Sequence, residues 1–482
     1  MASSTTDRIQ AAYTEAEVRY VAINPASRAA HEAATASLPG GNTRSVLHWE
    51  PYPLWISSAA GYTLHDADGH EYVDLLSEYS AGLYGHSHPV LQAAIAETVQ
   101  RGLSYGGPHA AEARLAALIK ERFSSIEHIR FTNSGTEANL MALAAAKAFT
   151  GRYRGKVVVF EGAYHGGVFV FPFGCKDVWG VKGTVKTGEK SKYEALRALN
   201  APHEFLVASY NRIASVDALI SSASKDGGDG IAAILVEPML GSGGGVCATP
   251  EFLAHLRRRA DGLGALLIFD EVMTSRMYAG GGVQSELQIY PDLTTLGKYI
   301  GGGLSSGAFG GRRDVMALFD PRAPGALPHA GTFNNNVLTM NVGAAGLESV
   351  FTPEKARALH ELGDEVRDRI NALDDGGGGG GAGKRRLRVL GCGSILVIHF
   401  TKSRVEDIAS PADWNADEDP RLLDLFHLEM LNEGFYLARR GYIALNLMLL
   451  EHEGRKELDR FVEVVQRFAV KFRDLIAEVV EQ

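Results

Sequence analysis

Two side chains in this sequence have the type and the setting for carbonyl chemistry. In Asp292-Leu-Thr-Thr-Leu-Gly-Lys298-Tyr-Ile-Gly-Gly-Gly303 an apolar run delivers one lysine and then gives way to glycines. Such a run reads as a strand ending in a loop, and a lysine there, beside glycines that let a ligand approach the backbone, can condense with an aldehyde. Taken alone, the segment equally describes a solvated surface lysine. Ala265-Leu-Leu-Ile-Phe-Asp270 changes the balance, because it is a second buried-looking strand ending in a carboxylate. Neighbouring parallel strands lie ~4.8 Å apart, similar to the distance across a pyridine ring, so an acid and an amine at adjacent strand ends can grip opposite sides of one ring. The pair points to pyridoxal 5′-phosphate (PLP), held by Lys298 as a Schiff base with Asp270 across its ring.

A phosphate needs its own site, and Phe131-Thr-Asn133-Ser134-Gly135-Thr136-Glu137 offers one: a strand end, a turn with hydroxyls and a glycine, then a helix. Free backbone N–H groups and the positive end of the helix dipole meet at such a turn. A serine before a helix is more often only its N-cap, so the weight comes from the combination with Asp270 and Lys298. Glu161-Gly-Ala-Tyr164-His165-Gly166-Gly167 follows the next strand and sets an aromatic plane among glycines, where Tyr164 can stack on a flat heterocycle. His165 reads as a local hydrogen-bonding group. Glu237, at another strand end, reads as support without an assignable partner.

The elements that must position these residues are legible at low resolution. Helical spacing runs from residue 7 to about 37, and short strands follow at Trp55–Ser57, Tyr62–His65 and Tyr72–Asp74; Val90–Val99 is an amphipathic helix. From about 110 to 340, strands alternate with helices: Ile126–Phe131, Lys156–Phe160, Phe205–Ser209, Ile231–Val236, Leu266–Phe269, Leu293–Leu296 and Ser306–Phe309. That alternation predicts a mostly parallel sheet flanked by helices, with ligands outside the carboxyl ends of its strands. Beyond 345 the pattern predicts a helix at Glu354–Leu373, a strand at Gly393–Phe400, a helix at Pro420–Leu431, a strand at Tyr442–Leu445 and one long last helix. Three sections result: 1–80, an N-terminal helix and small antiparallel strands belonging to a small domain; 81–344, a large PLP-binding α/β domain; and 345–482, the rest of the small α+β domain. Gly376 to Gly381 is low-complexity and reads as a surface loop.

Composition excludes other classes. The apolar runs are far shorter than the ~20 residues of a membrane-spanning helix. The net charge is −9 with scattered basic residues, which argues against nucleic acid as a partner. Cys175, Cys247 and Cys392 are few, widely separated and odd in number, matching neither a disulfide framework nor a metal site. The first residues lack an apolar signal core, so a reducing, cytoplasmic setting is expected.

Asn133-Ser-Gly-Thr-Glu-Ala138, Tyr164-His-Gly166, Val236-Glu-Pro238, Phe269-Asp-Glu-Val272, Leu296-Gly-Lys298 and Gly331-Thr332-Phe resemble, in order, the motifs of class III, fold-type I PLP-dependent aminotransferases. Within that family the chain is most similar to β-amino-acid (β-phenylalanine-type) aminotransferases, through Pro39-Gly-Gly-Asn-Thr-Arg44-Ser-Val46, Asp270-Glu-Val-Met-Thr-Ser-Arg276 and Gly331-Thr-Phe-Asn-Asn-Asn336. It also resembles glutamate-1-semialdehyde aminomutases, from which it departs after the Pro-Gly-Gly and after the Gly-Thr. The resemblance implies that Lys298 is the Schiff-base lysine and Asp270 the partner of the pyridine nitrogen. It implies that Ser134, Gly135 and Thr136 bind phosphate, and that Thr332 reaches the phosphate in the neighbouring subunit of a homodimer with shared active sites. It further implies that Arg44 and Arg440 bind carboxylates in two different pockets, Arg439 being an adjacent alternative. The expected reaction passes an amino group from a β-amino acid with an aromatic or apolar side chain to an oxo acid such as 2-oxoglutarate or pyruvate. Its rivals are an aminomutase, a broad amine transaminase, a PLP-dependent decarboxylase or racemase and, from another class, a non-catalytic PLP-binding module.

Overall fold

Runs of apolar and β-branched residues between helical segments pair here into one central sheet, and the two ends of the chain build smaller sheets beside it. The computed structural model describes residues 5–169, 171, 200, 202–225, 228–373, 386–415 and 418–481; the Gly376 to Gly381 run and Cys175 lie outside the described residues.

The N-terminal helical stretch is two helices, Thr5–Ile23 and Pro25–Ala34. Pro25 explains the break: it lacks an N–H and pushes Asn24 out of helical geometry (φ −120°, ψ 47°), then starts a new helix from its first position. Strands β1 (Ile56–Ala60), β2 (Thr63–Asp66) and β3 (Glu71–Asp74) form an antiparallel meander.

The central sheet contains β4 (His128–Thr132), β5 (Lys156–Phe160), β6 (Phe205–Ala208) and β7 (Ile231–Val236). A short hairpin, β8 (Met239–Leu240) and β9 (Val246–Cys247), leaves the end of β7. Strands β10 (Leu266–Asp270), β11 (Leu293–Gly297) and β12 (Gly307–Gly311) complete the sheet in the order β4-β12-β11-β10-β7-β5-β6. Only β12 runs antiparallel to its neighbours. Every residue of β7, β10, β11 and β12 is buried, as expected for strands covered on both faces. Parallel alignment brings the ends of β4, β5, β7, β10 and β11 to one edge, and each is followed by one of the chemically suggestive segments.

In the C-terminal section β13 (Leu387–Cys392), β14 (Ile395–Phe400) and β16 (Tyr442–Ala444) form an antiparallel sheet, while β15 (Phe435–Tyr436) joins the N-terminal meander by pairing parallel to β3. The helix Thr5–Ile23 packs on Pro420–Asn432. Strand β13 was not expected: Arg388, only 5% exposed, and Gly391 interrupt its apolar pattern. Arg388 is accommodated because its Nε donates to the Ser403 carbonyl at 3.2 Å. The expected single last helix divides into His452–Lys471 and Arg473–Glu481, with Phe472 between them at φ −108°. Its apolar stripe, from Leu458 to Val479, is buried throughout. No helix among the described residues is long and apolar enough to cross a membrane.

Candidate active site

Strands β10 and β11 are adjacent and in register, with Asp270 opposite Thr295, so Lys298, three residues further on, leaves the same sheet edge within electrostatic reach of Asp270. The lysine occupies the left-handed region at φ 62°, unusual for a residue with a side chain. Such strain costs on the order of 1–3 kcal/mol and collects at functional sites, where surrounding packing enforces it. Here Ser306 Oγ donates to the Lys298 carbonyl at 3.2 Å, and Gly302 continues the turn at φ 70°. No described residue hydrogen-bonds the Lys298 amine. Removal from water pushes its pKa down to about 8; Glu78 opposes the shift, Arg44 and Arg440 reinforce it, and Asp270 opposes it.

Asp270 is 4% exposed, and both of its oxygens have hydrogen-bond partners. Its Oδ2 accepts from Asn139 Nδ2 at 2.7 Å and lies 2.9 Å from His165 Nδ1, and its Oδ1 accepts from the Val272 N–H at 3.1 Å. Asn139 is fixed in turn, accepting from Thr295 Oγ1 at 2.8 Å. His165 is therefore more than a local group, since it joins a carboxylate on a different strand. Sequence reasoning missed Asn139, although a lone amide on the alanine-rich helix Gly135–Thr150 was a readable signal.

At the end of β4, Ser134 caps that helix by accepting from the Glu137 N–H at 3.2 Å, and Glu137 reaches back to the Asn133 N–H at 2.9 Å. The pattern is close to a capping box, except that the glutamate reaches the N–H one residue before the cap. It leaves the Gly135 and Thr136 N–H groups at the helix start without a described acceptor. Gly135 is required by space: a Cβ there would come 2.7 Å from Val272 Cγ2. Gly166, at φ 113°, lets the segment after β5 approach so closely that a Cβ would meet Thr136 Oγ1 at 2.6 Å. The Thr136 hydroxyl accepts from the Gly167 N–H at 3.3 Å.

Between these segments lies Tyr164, whose N–H donates to Glu237 Oε1 at 2.7 Å. Glu237 also accepts from the Gly241 N–H at 3.2 Å, which supplies the partners missing from the sequence reading. Burial, then the Asp270 charge, pushes the Glu237 pKa up to about 8. Burial likewise raises the Tyr164 phenol, with Asp270, Arg440, Glu237 and Arg44 all within electrostatic reach.

Arg44 and Arg440 converge on one ring: their guanidinium carbons lie 5.8 and 5.6 Å from the Tyr79 centroid. Expected in two different pockets, the two cations share Tyr79 as a common wall. Arg44 is also paired with Glu78 at 2.6 Å, and Arg440 lies 3.5 Å from Ser242 Oγ. Arg439 is held elsewhere, by Asp424. Tyr79 stacks on Tyr442 at 5.8 Å and 25°. It belongs to a run, Ser77 to Ser80, of four consecutive non-glycine residues with positive φ. Asp74 Oδ1 holds the start of the run by accepting the Leu76 and Ser77 N–H groups at 2.9 and 2.8 Å, and Arg276 holds its end by donating to the Ser80 carbonyl at 3.4 Å. No sequence signal marked Glu78 or Tyr79, because their placement depends on this left-handed turn. Thr332 is exposed, in a turn whose Asn334 Oδ1 accepts from Asn133 Nδ2 at 3.0 Å.

A mostly parallel sheet presenting a desolvated lysine, a triply hydrogen-bonded aspartate and a helix N-terminus at one edge defines a fold-type I PLP enzyme. The chain belongs to the class-III aminotransferases, whose family model matches residues 46–458. It is 46% identical over 460 residues to the β-phenylalanine transaminase of Variovorax paradoxus, covering 95% of this chain and 96% of that protein. The crystal structure of the β-phenylalanine aminotransferase from that organism superposes with a TM-score of 0.84 at 45% identity, covering 97% of this chain and 98% of the other. An omega-transaminase from Sphaerobacter thermophilus gives a TM-score of 0.78 at 32% identity, with 92% and 97% covered. A glutamate-1-semialdehyde aminomutase from Pseudomonas aeruginosa, 22% identical with 98% and 99% covered, shares the fold at a TM-score of 0.80. The protein is thus a PLP-dependent aminotransferase, acting on an amino donor and an oxo-acid acceptor.

Proposed function

We propose that this aminotransferase takes its amino group from a β-amino acid with an aromatic or apolar side chain and passes it to an oxo acid such as 2-oxoglutarate or pyruvate. The observation that carries this reading is the pair of guanidiniums, Arg44 and Arg440, meeting on Tyr79 within electrostatic reach of Lys298. The 46% identity to a β-phenylalanine transaminase supports it.

The residues present fit the cofactor. The unclaimed N–H groups of Gly135 and Thr136, with the hydroxyls of Ser134 and Thr136, suit a phosphate dianion at a helix N-terminus. Tyr164 would cover one face of the ring, Asp270 would hold the ring nitrogen and Lys298 would hold the aldehyde carbon. Thr332 would reach the phosphate of the neighbouring subunit in a homodimer, and its exposure in the single chain supports that assignment. When bound, PLP supplies an electron sink for a carbanion at the amine-bearing carbon.

Lys298 is the base that removes the proton from that carbon and returns it in the second half-reaction. A base must be neutral, and an amine near 8 has a far larger neutral fraction at physiological pH than one near 10.5. Asp270 would keep the ring nitrogen of bound PLP protonated, and Asn139 and His165 hold the Asp270 carboxylate in place. Planar guanidiniums read carboxylates through paired, charge-assisted hydrogen bonds. Arg44 can swing because it is 44% exposed, and a substrate carboxylate would exchange with Glu78 for it. The cysteine usage, three and odd, supports a reducing compartment such as the cytoplasm.

The test compares kcat/KM of Arg44→Ala for a β-amino acid and for an uncharged arylalkylamine. The carboxylate-bearing donor should lose about tenfold or more, equivalent to ~1.4 kcal/mol, and the plain amine should be nearly unchanged. Equal losses would mean that Arg44 shapes the site without reading the carboxylate.

A further inference from the structure

The helices Thr5–Ile23 and Pro420–Asn432 pack against each other without closing completely. Tyr13 and Glu17, four residues apart on one face of the first, and Asp424 and His427, three apart on the second, line a cavity of about 320 Å³ between them. Trp49 and Arg439 extend its wall. The volume falls at the small end of the roughly 300–1,000 Å³ that small-molecule sites occupy. The cavity is separate from the active site: Lys298, Asp270, Tyr164, Arg44 and Arg440 are not among its lining residues.

The wall is short of positive charge. Its two arginines are already engaged: Arg421 grips Asp419 through Nε at 3.0 Å and Nη2 at 2.6 Å, and Arg439 Nη2 donates to Asp424 at 3.0 Å. Glu17, half-buried, has no ion-pair or hydrogen-bond partner among the described residues, and Glu50 adds a second carboxylate to the wall. Burial, then the charges of Asp424 and Glu17, raise the pKa of the Tyr13 phenol, as a negative potential at its hydroxyl requires.

His427 supplies an unmatched polar group. It is 2% exposed, and neither of its ring nitrogens has a hydrogen-bond partner. Burial, then the Arg439 charge, pushes its pKa down to about 3, so the ring is neutral and keeps one nitrogen as an acceptor. Buried polar groups are as a rule hydrogen-bonded, and a donor placed in the cavity would supply the missing partner. Trp49 meets the imidazole edge-on, with ring centroids 5.1 Å apart, so aromatic surface borders the acceptor. No group of three or more histidine, cysteine or acidic side chains is arranged to hold a metal ion among the described residues, which leaves an organic cation as the complementary ligand.

We propose that this cavity is a second binding site, for a protonated organic amine whose N–H meets His427, whose charge is balanced by Glu17 and whose apolar body lies against Tyr13 and Trp49. The aromatic rings favour a cation at their faces, and the carboxylate supplies a counter-charge close by. An anion is disfavoured because each arginine of the wall already holds an aspartate. The site is independent of which amino donor the active site takes.

The experiment titrates the PLP-loaded enzyme with N,N-dimethylbenzylamine by calorimetry at low salt, before and after aminooxyacetate has capped the cofactor aldehyde. A tertiary amine cannot condense with a carbonyl, and its ammonium carries a single N–H. One saturable site per subunit is expected in both titrations, and none for benzyl alcohol, which has the same ring and no charge. Glu17→Gln should weaken binding about tenfold, since it removes the counter-charge from a partly exposed position without changing its shape. His427→Phe keeps a ring and removes the acceptor, and should weaken binding several-fold. Absence of saturable binding, its loss on capping the cofactor, equal binding of benzyl alcohol, or wild-type affinity in either variant overturns the proposal.

Discussion

Replacing Lys298 by methionine should make the cofactor-free protein more stable, because the amine proposed to serve the reaction is a burden on the fold. Burial takes its pKa from 10.5 to about 8. At ~1.4 kcal/mol per tenfold change in a protonation equilibrium, that fall corresponds to roughly 3 kcal/mol. The lysine is half-buried and its left-handed backbone survives the substitution, so the expected gain is about 1–3 kcal/mol at about pH 7. The sign follows from the direction of the shift. Below about 8 the lysine is charged in both folded and unfolded chains and the penalty is complete; between about 8 and 10.5 only the folded chain has lost the proton, so the penalty fades as pH rises. The assay is urea unfolding of cofactor-free wild type and Lys298→Met at equal subunit concentration, at about pH 7 and about pH 10. The variant should lead at the lower pH, and the two should converge at the higher. A variant no more stable at pH 7, or a gain that does not change with pH, would refute the claim that a desolvated charge resides at Lys298.

Asp270→Asn should retain PLP while slowing transamination on the order of a hundredfold, since a neutral amide lacks the charge that holds the ring proton; single-turnover absorbance separates retention from rate. Glu78→Gln frees Arg44 from its 2.6 Å partner and removes a charge that raises the Lys298 pKa. KM for a carboxylate-bearing donor should fall several-fold, and pH-dependent acylation of Lys298 in the cofactor-free protein should shift to lower pH. Thr332→Ala should weaken PLP retention without altering the monomer fold, and equilibrium sedimentation of wild type should show a dimer at assay concentration; an active monomer would sink the shared-site assignment.

Much of the site was legible because each key residue follows a strand that the sequence marks by itself. The apolar runs ending at Phe160, Val236, Asp270 and Gly297 are strands within a residue or two of expectation, and once they align in parallel their ends coincide. The turn at Asn133 to Thr136 was equally readable, since its serine, glycine and glutamate spacing is a local capping pattern. Residues whose importance comes from long-range contact were not readable. His165 and Asn139 meet Asp270 from other elements, and Glu237 finds its partner in the backbone of Tyr164.

The sequence by itself determined the strand ends, the helix cap and the placing of an amine and an acid just after two of those strands, because these depend on hydrophobic periodicity and on side-chain chemistry within a few neighbouring residues. Only the tertiary structure decided what surrounds them. Tyr79 stands between two arginines because Asp74 and Arg276 hold four residues left-handed, and Arg440 faces the ring while Arg439 turns to Asp424. The β8–β9 hairpin closes on the distant strand β13 because Gly245 and Gly391 let their backbones approach. Each of these outcomes depends on backbone approach between segments far apart in the chain, which no local pattern encodes.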